Sequence, residues 1–329
     1  MLIIFWAIIF SIILSLPIIY IFLKITFGIN LFFDFILNYN ILKITINSVL
    51  LVLLVVCLAT LISLPLAFLN VRTNLPFAKY LISISVLPIA LPSYVMATTQ
   101  IELWGPRGIA YDILNKFFGT GPLPSFYGLS GSVIVLTLIT YPYIYIGLCA
   151  TFRRFDFQMI DASRTLGASV PKTFSKIIFP LVMPTVASGS LLVSLYVLSD
   201  FGAVALLRFN TFTIAIFNRM YSSIGNYGVL EICSIAILFC FFILFIESRT
   251  RSNSRYFSNS NSANMKILDL GYWRWVILPF ALIPSILGFL LPVSVLLYWF
   301  ISGVYFDNSF DNLFKNIFSD ILSTILISF

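Results

Sequence analysis

Apolar runs of about 20 residues recur along this chain, and each is long enough to cross about 30 Å of hydrocarbon at about 1.5 Å of helical rise per residue. Seven of them fall near 2–23, 45–69, 79–101, 129–152, 175–199, 228–247 and 276–300. An eighth begins at Ile317 and runs for only 13 residues through Phe329, against the roughly 20 that a span needs. The fold class this predicts is an all-α polytopic membrane protein with seven complete spans and the start of an eighth. Only 9% of residues are charged, where soluble domains carry about a quarter. The alternating ten-residue strands of an outer-membrane barrel are absent.

The formal charge of +7 sits in short segments between the runs, so it reads as topology and not as a nucleic-acid surface. With the N-terminus inside, twelve Lys and Arg lie on the inner side, among them Arg153, Arg154, Arg164, Lys172 and Lys176, and seven lie outside. That bias predicts a cytoplasmic N-terminus. The first run lacks a basic n-region and an A-x-A-like cleavage site, so a retained first span is expected. Cys57, Cys149, Cys233 and Cys240 stand singly inside apolar runs and read as reduced, buried thiols. The chain has no His, which removes the commonest transition-metal ligand and the usual general base.

"ESRTRSNSRYFSNSNSANMKILDLGYWRW", residues 247–275, is the one linker-like stretch, rich in Ser, Asn and basic residues. Beyond this stretch the chain echoes its own beginning. "LGFLLPVSVLLYWF" after Ile286 matches "SIILSLPIIYIFLK" after Phe10, with Pro292 against Pro17. "NIFSDILSTIL" from Asn316 matches "NILKITINSVL" from Asn40 at an offset of 276. The division expected is a first membrane domain over 1–247, a cytoplasmic linker over 248–274, and the start of a second, C-terminally truncated copy over 275–329.

Between the fourth and fifth runs lies a basic segment too polar to span a bilayer, "DASRTLGASVPKTFSKIIFP", Asp161–Pro180. Asp156 is placed to cap a short helix. Gly167 is placed to end it in the left-handed conformation. Ser169 and Pro171 suit the start of a second helix. The result is a helix–turn–helix elbow over 157–174, outside the bilayer. Small side chains at Ala162 and Ser163 would let another protein approach the backbone.

Asp161-Ala162-Ser163, then Gly167, then Ile177 and Pro180 have the spacing of the EAA loop of ABC importer permeases, E-A-A, three residues, G, nine residues, I-x-L-P. This chain departs from it with Asp for Glu, Ser for the second Ala and Phe179 for Leu. The resemblance implies the type I ABC importer transmembrane-domain (MetI-like) fold. It also implies that the elbow is the coupling helix seated on a cytoplasmic ATPase dimer. Further stretches resemble the permeases for periplasmic ferric-ion-binding proteins: "LPIALPSYVMA" from Leu87, "WGPRG" from Trp104, "TYPYIYIGL" from Thr140, "YVLSDFGAVALLRFNTFTIAIFNRMY" from Tyr196 and "YWRW" from Tyr272. Permeases for thiamine, polyamines and phosphonate share that architecture. The resemblance thus implies a multi-pass subunit of a bacterial inner membrane that moves iron(III) delivered by a periplasmic binding protein. ATP and Mg would be used by the partner ATPase, and this chain would bind no cofactor.

The residues themselves offer no catalytic set. There is no GxxxxGK[ST] to cradle phosphate, no metal-ligand spacing and no nucleophile with a base, so neither an ATPase nor a membrane enzyme is expected. A secondary transporter or channel would need ionisable residues at mid-membrane, and none is evident. Candidates for a translocation path are acids near the outer face: Asp200, Glu102 and Glu231. Asp200 reads either as a gate ligand for a cation or as a hydrated helix-end acid paired with Arg208. Tyr141 and Tyr145 share a helical face and read as interfacial anchors ahead of pore lining. Pro88, Pro92, Pro180 and Pro184 predict kinks.

Overall fold

The computed structural model describes residues 2–27, 39–106, 108–119, 125–154, 163, 165–221, 228–252, 268–306, 322–324 and 326. Among them the chain is helical, with a single parallel bridge between Thr73 and Leu268. Among the described residues five helices are long and apolar enough to cross a membrane, or six crossings if one bent pair counts as a span.

The bundle centres on three helices. These are α2 (Tyr39–Arg72), α6 (Leu129–Arg154) and α7 (Phe179–Ser199). Tyr141, Ile144, Tyr145 and Leu148 on α6 are fully buried against Val55 and Ala59 of α2 and Val182 and Val193 of α7. Glycine permits a close backbone approach: a Cβ at Gly189 of α7 would lie 2.9 Å from Ile144 Cα. Lipid drives helices together weakly, so backbone proximity of this kind is the main source of packing energy. α1 (Leu2–Phe27) lies outside this core. Phe5, Trp6, Phe10 and Tyr20 are more than half exposed, as residues facing hydrocarbon would be.

The predicted third span is not straight. α3 (Ala78–Ile84) leads through a 3-10 turn, Leu87–Ala90, into α4 (Ser93–Trp104). The two arms meet at 102°. The break sits at Leu91, which is extended (φ −88°, ψ 127°) because the ring of Pro92 excludes the helical region for the residue before it. α5 (Ile109–Phe118) follows α4 and ends at Gly119, φ +60°.

Two short π turns have the same relation to proline. Phe174–Ile178 precedes Pro180, and Ile286–Leu290 precedes Pro292. A proline ring clashes with the carbonyl four residues back and offers it no N–H, and a widened turn relieves that clash. The first leads into α7. The second joins α11 (Trp273–Ser285) to α12 (Leu291–Phe306), so that Trp273–Ser302 forms one membrane-length unit of 30 residues. Between α7 and that unit come α8 (Gly202–Leu206), α9 (Phe212–Met220) and α10 (Val229–Ser252).

The α11–α12 unit is joined to the first part of the chain by contacts gathered around its π turn. Ser285 Oγ lies 3.1 Å from Ser85 Oγ. Gln100 Nε2 donates to the Leu287 carbonyl at 2.7 Å. A Cβ on Gly288 would stand 3.0 Å from Pro88 Cγ. Ahead of it, the end of the predicted linker is fixed. Leu268 N–H donates to the Arg72 carbonyl at 2.9 Å, and Asn74 N–H to the Leu268 carbonyl at 3.1 Å. Residues 253–267, the centre of the expected linker, lie outside the described residues, as does nearly all of the run from Ile317.

Candidate functional site

α6 ends in Arg153 and Arg154, and the chain next enters the elbow. Asp156, Asp161 and Ala162 lie outside the described residues. From Ser163 onward the geometry is that of a helix end. Gly167 takes φ +81°, and Ala168 N–H reaches back to the Ser163 carbonyl at 3.0 Å. That six-to-one closure requires a left-handed residue where Gly stands. The chain then turns into Val170–Thr173, with Pro171 in the first turn. Ser163 Oγ and Thr173 Oγ1 are 3.0 Å apart, and Thr173 is buried, so the two arms are tied across the turn. The tip is unusual for so apolar a residue: Leu166 is 87% exposed. Lys172, Lys176 and Phe174 are also exposed. Ile177 and Pro180 lie at the junction with α7, Ile177 in the π turn and Pro180 in the first turn of the helix. The elbow therefore presents an apolar tip, flanking cations and a stiffened turn that feeds directly into a core helix.

Three acids are expected near the opposite face. Asp200 is 8% exposed, and its carboxylate turns to backbone N–H groups and not to Arg208. Its Oδ2 accepts Ala203 N–H at 3.1 Å and Val204 N–H at 3.4 Å, its carboxylate also accepts from Ser93, and its carbonyl accepts from Thr213 Oγ1 at 2.7 Å. It is the cap that starts α8 after α7 has ended. Glu231 is half-buried in the first turn of α10, with Oε2 making no hydrogen bond among the described residues. Glu102 is half-buried near the end of α4.

Tyr141 and Tyr145 are not interfacial anchors. Both are fully buried, because the neighbouring helices supply partners for their hydroxyls. Tyr141 donates to the Ser85 carbonyl at 2.8 Å, while Ser63 Oγ donates to the Tyr141 carbonyl at 2.8 Å. Tyr145 Oη accepts from Asn70 Nδ2 at 2.8 Å. These bonds join α2, α6 and the α3 region through the middle of the bundle, and Ser285 extends the seam to α11. Sequence reasoning passes over the polar residues Ser63, Asn70, Ser85, Gln100 and Ser285. The signal is present all the same, since a polar side chain inside an apolar run must find a partner.

At the elbow end, Asp269 accepts from the Gly271 N–H at 2.9 Å and from Asn74 Nδ2. Asn74 Oδ1 accepts the Leu270 N–H at 2.9 Å. The Gly271 N–H, followed by Asn74, holds the Asp269 carboxyl below its ordinary range. No group of three or more His, Cys, Asp and Glu that could hold a metal occurs among the described residues.

The profile of the family described as "Binding-protein-dependent transport system inner membrane component" matches residues 59–249, from within α2 through almost all of α10. The Fe(3+)-transport system permease protein FbpB 2 of Haemophilus influenzae is 27% identical over 302 residues, covering 90% of this chain and 56% of the relative, so this chain spans little more than half of that protein's length. The molybdenum transport system permease protein ModB of Escherichia coli is 29% identical over 211 residues, 61% of this chain and 91% of its own. Among solved structures, a bacterial alginate ABC transporter in complex with an alginate-bound periplasmic protein matches with a TM-score of 0.56 at 14% identity. That match covers 78% of this chain and 96% of the other. With the profile spanning the elbow and both core helices that flank it, the chain belongs to the family of binding-protein-dependent transport system inner membrane components.

Proposed function

We propose that this chain is the membrane-spanning permease of an ATP-driven importer in a bacterial inner membrane, and that the elbow around Gly167 is where the driving force enters. The observation that carries this reading is mechanical. The exposed Leu166 tip is tied across its turn by Ser163 and Thr173, and one arm continues without a break into α7. A cytoplasmic ATPase dimer gripping Asp161, Ala162, Ser163 and Gly167 would move α7 and, through Ile144 and Gly189, α6. The permease only transmits the motion; ATP and Mg act in the ATPase. The basic residues Arg153, Arg154, Lys172 and Lys176 flank the elbow, which supports a cytoplasmic elbow and N-terminus.

Iron(III) presented by a periplasmic binding protein is the cargo we favour, because the match to FbpB 2 runs over 90% of this chain. Molybdate is the second reading, supported by the match along 91% of ModB. Two experiments test the reading. Asp161→Arg combined with Gly167→Pro is expected to abolish co-purification of the ATPase while the permease still inserts, and undiminished recovery refutes the coupling role. Proteoliposomes holding the assembled transporter are expected to accumulate iron(III) and not molybdate on ATP addition, and the reverse preference refutes the cargo.

A further inference from the structure

At the end of the bundle away from the elbow, Arg208 adopts φ +56°. It is the left-handed residue that closes α8: its N–H reaches the Ala205 carbonyl at 3.2 Å, and Phe209 N–H reaches the Val204 carbonyl at 3.0 Å. Gly takes this position without steric cost and Arg does not. The strain is retained although nothing in the turn uses the side chain. Arg208 is exposed, and among the described residues its guanidinium rests 5.4 Å from the Tyr127 ring and faces no carboxylate. A non-glycine residue held in a strained conformation points to a use for its side chain.

The surroundings fit such a use. Arg208 lines an open pocket with Asn210, Asn218, Phe201 and Phe217. Phe201 and Phe217 stand 4.9 Å apart, and Phe217 and Tyr221 4.7 Å apart. All three rings of this ladder are exposed, Tyr221 at 77%. A guanidinium, two amides and a run of tilted aromatic contacts form the composition of a protein-binding hot spot. A purely lipid-facing belt has no need of the two amides beside the cation.

We propose that this pocket receives a carboxylate side chain of an extracytoplasmic solute-binding protein, paired with Arg208 and flanked by the Phe201–Phe217–Tyr221 ladder. The proposal rests on the permease reading and deepens it by naming the docking residue and its complement.

The test uses the assembled permease–ATPase complex in lipid nanodiscs and a purified, cargo-loaded extracytoplasmic solute-binding protein from the same source. Arg208→Glu and Arg208→Gly are expected to weaken binding about tenfold or more, and wild-type affinity is expected to fall as salt rises. Basal ATP hydrolysis stays unchanged. Arg208→Gly is expected to raise the melting temperature or leave it unaltered, because it removes the backbone strain, so a loss of binding in that variant is not a loss of fold. Lys116→Glu, an exposed cation on α5, is expected to change binding by less than about twofold. Wild-type-like binding by both Arg208 variants overturns the proposal and leaves the permease reading intact. So does a ladder variant, Tyr221→Ala, that lowers the melting temperature in lipid while binding is kept, since the face then serves the membrane. If the solute-binding protein neither binds wild-type complex nor raises its ATP hydrolysis, the permease reading fails and this inference with it.

Discussion

Ser85 and Ser285 are 200 positions apart, fully buried, and share a hydrogen bond of 3.1 Å. The pair joins the segment after α3 to α11, and Tyr141 closes the same point from α6 by donating to the Ser85 carbonyl. Each intramembrane bond of this kind is worth about 0.6 kcal/mol. Replacing Ser285 by Ala is therefore expected to lower stability only slightly. Ser285→Leu forces a larger side chain into a filled site and is expected to cost about 1–3 kcal/mol, separating α11 from the bundle. Thermal unfolding in nanodiscs measures both, and equal melting temperatures for the two variants would show that the seam does not hold α11.

Gly189 and Gly147 line the two sides of the α6–α7 contact but differ in what a side chain would strike. At Gly189 the obstacle is the Ile144 backbone, 2.9 Å from a built Cβ; at Gly147 it is the Thr185 methyl at 2.8 Å. A backbone cannot rotate away, whereas a threonine can change rotamer. Gly189→Ala is expected to destabilise by about 1–3 kcal/mol, as overpacking does, and Gly147→Ala by less. Because α7 continues into the elbow, Gly189→Ala is also expected to reduce the ATP hydrolysis stimulated by binding protein. A stimulated rate equal to wild type would refute rigid transmission from α7 to α6.

Much of this is legible in the sequence because it depends on local chemistry. Apolar run length marks the long helices, Gly167 marks the turn, and Pro171 marks the start of the second arm. The bend at Leu91 is signalled by Pro92, but its 102° angle is not, since the angle depends on what α3 and α4 each pack against. Tyr141 and Tyr145 defeat sequence reasoning for a related reason. A tyrosine in an apolar run serves equally as an anchor or a core residue, and only the distant Ser85 carbonyl and Asn70 amide decide between them. For Asp200 the sequence offers an acid near the outer face, and only the structure brings in the α8 amides that it caps.

The capping role of Asp200 makes a prediction that a gate role does not. Asp200→Asn keeps a side-chain oxygen for the Ala203 N–H and is expected to preserve both fold and transport. Asp200→Ala removes the cap and is expected to cost about 1 kcal/mol, with transport falling in step with the amount of folded protein. Uptake normalised to folded permease checks this. If Asp200→Asn abolished normalised uptake while its melting temperature held, the carboxylate charge would be acting on cargo.

Asp269 fixes the far end of the linker to Asn74, and its proton affinity gives that latch a pH dependence. The Gly271 N–H and the Asn74 amide lower the carboxyl below its ordinary value of 3.8. A carboxyl lowered in the latched state contributes stabilisation that is complete above its ordinary value and disappears as pH falls through the lowered one. The latch should thus be closed at neutral pH and through pH 5, and should loosen only below about pH 4. Protection factors for the Leu268, Leu270 and Gly271 amides, corrected for intrinsic exchange, are expected to follow that course and to be lost at neutral pH in Asp269→Ala. Asn74→Asp should invert the trend. It sets a second carboxylate against the first, so protection is expected to be weak at pH 7 and to recover as one of the pair takes up a proton. If Asn74→Asp kept full protection at neutral pH, the Asn74–Asp269 contact would not be what secures the segment.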